Sequence, residues 1–253
     1  MQQSFLSINK LSKKPYSIII GYPKASKRQI ESRISQMKKL GINSISFQGD
    51  LQLNSINVLG KGYVGIVVLA KKQNEKVAVK IRRTDSQRKE MQSEAKLLKI
   101  ANSVGVGPSL IGSTKDIMIM DYLVGKKIGI WIRELQGRRS VSKLKTVIRK
   151  TLEDCYNLDR IGLDHGELSS ITKHVIIGNS KTTIIDFESA STKRRVSNVT
   201  SATQGIFIGS GISKSIKKLY KIPSKDIMIN VLRSYKHNPS KESFDNLLKV
   251  LKL

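Results

Sequence analysis

The chain has 253 residues, 39% of them hydrophobic and 26% charged, a balance that suits a folded globular protein and excludes a disordered one. Its 46 Lys and Arg against 19 Asp and Glu give a formal charge of +27. Such an excess favours polyanionic partners, nucleic acid or acidic protein segments among them, or else marks a lysine-rich solvated surface. Aromatics, at 5%, are too sparse for a stacking platform for single strands. The apolar runs are too short to cross a bilayer, and residues 1–10 lack the layout of a secretory signal, so no membrane partner is expected. The single cysteine, Cys155, is expected as a buried helical thiol; with it comes the expectation of a cytoplasmic protein.

In chain order, residues 1–50 read as a separate small α/β extension. The run Tyr16–Ile20 looks like a short buried strand, and Gly21-Tyr22-Pro23 like a turn. Ser26 is placed to cap a helix running to Leu40, with Ile30, Ile34, Met37 and Leu40 at helical spacing. Gly41 ends that helix, and residues 45–47 form a second strand.

From Leu53 the pattern changes to Val- and Ile-rich strands over residues 56–59, 65–70 and 76–81, the last two joined by a polar turn. A helix is expected over residues 87–101 with Met91, Ala95, Leu98 and Ala101 on its inner face. Gly105-Val106-Gly107-Pro108 ends it, and a strand follows at residues 117–120. Beyond Gly125 the chain reads as helical, most clearly over residues 141–158, interrupted by strands at 175–177 and 183–185. The expected class is α+β, with boundaries after residues 50 and 123.

Gly60-Lys61-Gly62-Tyr63-Val64-Gly65-Ile66-Val67 joins two strand candidates. Glycines there let backbone N–H groups come close to phosphate oxygens. A dinucleotide-binding fingerprint would lead into a helix, whereas these glycines lead into residues of strand composition, which excludes it. Fifteen residues on, Val77-Ala78-Val79-Lys80 alternates so that Ala78 and Lys80 share one face beneath the glycines. Such a lysine needs a carboxylate to orient it; Glu94 fits, with Glu90 the fallback.

Together these residues resemble the small lobe of protein kinases, and Glu94-Ala95-Lys96-Leu97-Leu98 followed by Gly105-Val106-Gly107-Pro108 is similar to the compact RIO-type and KEOPS-associated kinases and to the archaeal predicted serine/threonine protein kinases. The resemblance spans roughly residues 50–210 and implies a two-lobed kinase-like fold that binds ATP with Mg²⁺ or Mn²⁺. It makes Gly60, Gly62, Gly65, Val67, Ala78, Lys80 and Glu94 nucleotide-binding residues. Met120 would be the gatekeeper, with the backbones of Asp121 and Leu123 at adenine. In Asp164-His165-Gly166-Glu167 it makes Glu167 the base, one methylene longer than the aspartate of the family pattern, with Asp164 the runner-up. Asp186 of Asp186-Phe187-Glu188 becomes the metal ligand. Thr172 stands where the pattern has an asparagine, and His174 falls near the second metal position.

No Ala-Pro-Glu follows. Residues 189–195 and 198–203 form a hydroxyl-rich, basic stretch that either binds an anion, carries autophosphorylation sites or is a solvated loop. The expected function is a serine/threonine protein kinase that also phosphorylates itself. A small-molecule phosphotransferase, or a basic ATP-binding accessory protein acting on RNA or ribosomes, is the alternative.

Overall fold

The computed structural model describes residues 4–178, 181–209 and 211–253. The protein is α+β, with an antiparallel, sheet-rich N-terminal region and a helical C-terminal region. Two compact units divide it: Met1–Lys99 with Pro108–Leu123, and Ile100–Gly107 with Val124–Leu253.

The first unit runs β1 (Leu6–Ser7), α1 (Tyr16–Ile20), α2 (Lys27–Lys39), β2 (Ile42–Ser46), β3 (Leu51–Leu53), β4 (Ile56–Val58), β5 (Gly60–Lys61), β6 (Gly65–Lys72), β7 (Glu75–Arg82), then α3 (Gln92–Asn102, whose residues from Ile100 on fall in the second unit), β8 (Leu110–Ser113) and β9 (Ile117–Asp121). Its sheet has the order β1-β2-β6-β7-β9-β8, with β5 paired to β6, and every pairing is antiparallel. In register, Val67 lies opposite Lys80 and Lys80 opposite Met118, while Leu69, Ala78 and Met120 align two residues along. Residues opposite one another share a face. One face of the sheet therefore carries Val67, Leu69, Ala78, Lys80, Met118 and Met120. The other carries Ile66, Val68, Val77, Val79, Ile81, Ile117 and Ile119, and these join one core with Ile8, Leu11, Ile19, Ile20, Ile34, Met37 and Ile45.

That core corrects two expectations. The first 50 residues are not a separate extension: β2 pairs with β6, and α1 and α2 cover the second face of the sheet. Tyr16–Ile20 is a helix rather than a strand, because a five-residue apolar run has no period to read and its burial is decided by what it packs on. Ser26 does cap α2: its Oγ accepts from Gln29 N (3.3 Å) and its N–H donates to Gln29 Oε1 (2.8 Å), a complete capping box. The α3 helix starts five residues later than expected. Met91 N donates instead to Lys115 O (2.8 Å), which ties the preceding residues to a turn.

A polar network fastens α2 to the sheet. Arg33, buried, donates to Ile20 O (2.6 Å) and lies 3.6 Å from Asp116. Asp116 also accepts from Arg82 Nε (2.8 Å) and Gln36 Nε2 (2.9 Å). Burial alone would raise the Asp116 pKa; the Gln36 and Arg82 hydrogen bonds and the Arg33 and Arg82 charges outweigh it and hold the carboxyl below its ordinary range.

The second unit contains β10 (Lys126–Lys127), α4 (Ile128–Glu134), α5 (Ser140–Arg160), α6 (Ile171–His174), β11 (Val175–Ile177), β12 (Thr182–Ile184), α7 (Asn198–Phe207), α8 (Gly211–Leu219), α9 (Lys225–His237) and α10 (Lys241–Val250). The strands form a small antiparallel sheet, β10-β11-β12. Leu144, Ile148, Leu152, Cys155 and Leu158 make a fully buried stripe on α5, as the helical spacing there requires, and Cys155 is the buried thiol expected. Tyr156 stacks on Phe244 of α10 with ring centroids 4.5 Å apart. Among the described residues, no helix is long and apolar enough to cross a membrane.

Candidate functional site

The chemistry-bearing residues form two groups, one in each unit. In the first unit the strand pair β6–β7 carries Lys80 on the face away from the hydrophobic core. Its ammonium lies 2.7 Å from Glu94 Oε1 in the first turn of α3, and both residues are buried, at 4% and 2% exposure. Glu90, the fallback partner, is exposed and precedes the helix. Gly65 is needed where it stands. A Cβ there would lie 2.9 Å from Lys80 Cγ and 3.0 Å from Ile81 O, so a side chain would push β6 off the lysine stem. The loop before it closes through Gly62 N donating to Gly65 O (2.8 Å) and leaves Tyr63 at its tip, 87% exposed. Gly60 pairs with Val67 across β5 and β6. Ala78 is buried beside Met120, which is half-buried. The Asp121 N–H donates to Ser109 O (3.0 Å) and its carboxylate accepts from Ser109 N (3.1 Å); Leu123 is half-buried.

In the second unit, the loop after α5 and the turn after β12 come together. Asp164 and Ser191 exchange both backbone hydrogen bonds, at 2.9 and 2.8 Å. The His165 imidazole is fully buried, and its Nε2–H donates to Ile185 O (3.0 Å). Burial pushes its pKa down to about 4, so the ring is neutral at physiological pH. The Ile185 N–H in turn donates to His174 O (2.9 Å), so this peptide is held from both sides just before Asp186. Asp186 itself adopts φ +72°, ψ 74°, left-handed backbone that costs a non-glycine residue energy and that clusters at functional sites.

Glu167 projects between two neighbours. Ser189 Oγ donates to its Oε1, and His174 Nε2 lies 3.1 Å from its Oε2, off the line of a well-directed N–H bond. The Glu167 side chain is 38% exposed, and that of His174 5%. Asp164, the runner-up base, is committed elsewhere: its Oδ2 faces Arg194 Nη2 (2.9 Å) and Nε (3.0 Å), and its Oδ1 accepts from Ser197 N (3.1 Å) and Oγ (3.2 Å). Between them sits Gly166 at φ +88°, where a Cβ would lie 2.8 Å from Ser189 O and closer still to the Arg194 guanidinium. For a divalent ion, Asp186 supplies a hard oxygen donor of the kind Mg²⁺ takes together with phosphates and water. His174 Nε2 faces Glu167 instead.

The chain matches no family model. Among curated proteins it is similar to the uncharacterized protein MJ1211 of Methanocaldococcus jannaschii, 29% identical over 108 residues that make up 43% of this chain and 89% of that protein. That likeness brings no activity with it.

Two residues that hold the second group were not foreseen. Asn198, at the start of α7, accepts from His165 N (2.8 Å) and donates to Leu163 O (2.7 Å) and Asp159 Oδ1 (2.8 Å). Asp159 also accepts from Val199 N (3.2 Å) and the Tyr235 hydroxyl (2.9 Å). Burial raises the Asp159 pKa against these bonds, and burial and the adjacent carboxylate push the Tyr235 phenol up. The polar stretch at 198–203 is therefore no solvated loop. It is the first turns of α7, with Thr200 and Thr203 buried.

Proposed function

We propose that this protein is an ATP- and Mg²⁺-dependent serine/threonine protein kinase with a two-lobed protein-kinase-like fold, phosphorylating hydroxyls on protein, itself included. The observation that carries the reading is the buried Lys80–Glu94 pair against Gly65, next to the Gly60–Gly62 turn. Burying two charges costs several kcal/mol per ion, and packed apolar side chains would stabilise the sheet face as well or better. A dry lysine on a glycine-rich strand pair is instead suited to a phosphate. The strained backbone at Asp186 supports the same reading.

On this reading the Lys80 ammonium, oriented by Glu94, binds nucleotide phosphates, with Val67, Ala78 and Met120 as the apolar surface for the base and the backbones of Asp121 and Leu123 at its polar edge. Asp186 holds the divalent ion, which when bound neutralises charge on the phosphates. Glu167 accepts the proton of the attacking hydroxyl. The bond from that oxygen to the γ-phosphorus forms, the bond from phosphorus to the ADP oxygen breaks, and ADP leaves with that electron pair. Buried Thr200 and Thr203 are poor acceptors in the folded chain, whereas exposed Thr192, in the turn preceding α7, is open to modification.

Transfer of labelled γ-phosphate from ATP and Mg²⁺ to the protein or to a basic carrier protein tests the proposal. Transfer lost in Lys80→Ala and in Asp186→Ala is the expected result; no transfer by the wild type overturns it. The charge of +27 favours a second reading, an ATP-binding accessory protein on RNA. Exposed Lys214, Lys217, Lys218, Lys221 and Lys225 would supply phosphate contacts. ATP binding without transfer, joined to salt-sensitive RNA binding, would favour it; failure to bind RNA at low salt removes it.

A further inference from the structure

A glutamate in the place of a catalytic aspartate has one more torsion to fix, and a base misplaced by about 1 Å can lose ~100-fold in rate. Something must therefore hold the Glu167 carboxylate if it is to serve. Among the described residues, two side chains reach it. Ser189 Oγ donates to Oε1 from the turn immediately after Asp186, and His174 Nε2 stands 3.1 Å from Oε2 at the end of α6. Both arms are themselves anchored. The Ser189 carbonyl accepts from Arg194 Nη2 (2.6 Å), and Arg194 is fixed by Asp164. His174 is 4% exposed, and its carbonyl accepts from Ile185 N. The carboxylate keeps a free approach, since the Glu167 side chain remains 38% exposed.

We propose that Ser189 and His174 are positioning residues that clamp Glu167 as the base, so that His174, near the expected second metal position, serves the carboxylate and not the metal. The inference rests on the kinase reading above. Ser189 acts by donating its hydroxyl proton to Oε1 without transferring it, and His174 by packing its buried ring edge 3.1 Å from Oε2, a steric stop with no directed hydrogen bond. The clamp compensates for the added methylene by holding Oε1 through the Ser189 hydrogen bond and limiting the swing of Oε2 against the His174 ring, leaving outward lone pairs for the substrate hydroxyl. It also couples the base to the metal side of the site, because Ser189 lies three residues after Asp186.

The test is a set of steady-state measurements on the full chain with ATP and Mg²⁺: wild type, Lys80→Ala, Ser189→Ala, Ser189→Thr, His174→Gln, Glu167→Ala, and Ser189→Ala combined with Glu167→Ala. Ser189→Ala should lower kcat by roughly 10–100-fold with the KM for ATP unchanged, and Ser189→Thr, which keeps the hydroxyl, should recover most of it. In the Glu167→Ala background Ser189→Ala should cost nothing further, because its only route to the reaction is gone. A wild-type kcat in Ser189→Ala, or a loss that multiplies in the double variant, overturns the clamp while leaving a Lys80-dependent kinase intact. Absence of transfer by the wild type overturns the kinase reading and the clamp with it. His174→Gln should also lower kcat with the KM for ATP unchanged, and a wild-type kcat there overturns the His174 arm; should it fail to fold, the Ser189 series decides alone.

Discussion

Replacing Asp116 by Ala should show how far the first 50 residues belong to the unit that carries Lys80. The carboxylate is 11% exposed and receives Arg82 Nε at 2.8 Å, Arg82 Nη2 at 2.7 Å and Gln36 Nε2 at 2.9 Å, with Arg33 Nη2 at 3.6 Å. Without it, two guanidinium groups, at 3% and 16% side-chain exposure, face one another with their shared anion gone. Removing one partner of a buried ion pair costs about 3–5 kcal/mol, which for a protein of this size lowers the melting temperature by roughly 6–20 °C. Circular dichroism melts give the shift, and hydrogen exchange should locate it, with protection lost in α2 and at the β7–β9 edge. Because the folded carboxyl sits below its ordinary pKa, its contribution is present above the unfolded value near pH 4 and disappears as pH falls through the folded value. A melting temperature within about 2 °C of wild type, or α2 amides as protected as before, would mean that Asp116 does not fasten α2 to the sheet.

Two further outcomes follow from the second unit. His165, held neutral with a pKa of about 4 against an ordinary 6.5, takes up a proton only on unfolding in that window. Stability should fall as pH drops from about 6.5 to 4, by roughly 2–3 kcal/mol at pH 4.5. Urea titrations of wild type and His165→Gln at pH 7 and 4.5 measure this, and equal acid losses in both would contradict it. Gly166→Ala forces a Cβ at φ +88° into Ser189 O and the Arg194 guanidinium. It should cost about 2 kcal/mol and displace the Glu167 loop. A variant that melts like wild type and keeps full activity would speak against that geometry.

The sequence disclosed most where a local pattern carries the structure. Alternating Val and Ile between Gly65 and Ile81 is enough to read β6 and β7, and Lys80 and Ala78 fall on one face for the same reason. Helix α2 was legible through Ser26 and the spacing of Ile30, Ile34 and Met37, and Glu94 through its place on the next helix. What could not be read depends on partners far along the chain. The pairing of β2 with β6 brings Ile45 opposite Ala70, and no local signal announces it. The α1 run has no period. Strand β8 is four residues long and holds Gly112, so its composition does not stand out. Helix α7 opens on Asn198-Val199-Thr200-Ser201, weak helix formers held by Asp159 from 39 residues away. The Ser189–Glu167 contact is of the same kind, made between two turns that only the folded unit brings together.

Whether Glu167 is the base is decided by transfer of labelled phosphate by Glu167→Ala and Glu167→Asp under saturating ATP and Mg²⁺, beside the wild type. If Glu167 is the base, Glu167→Ala should bind ATP as the wild type does and transfer roughly 100–10,000-fold more slowly, with Glu167→Asp in between. Transfer by Glu167→Ala at the wild-type rate would show that Glu167 is not the base.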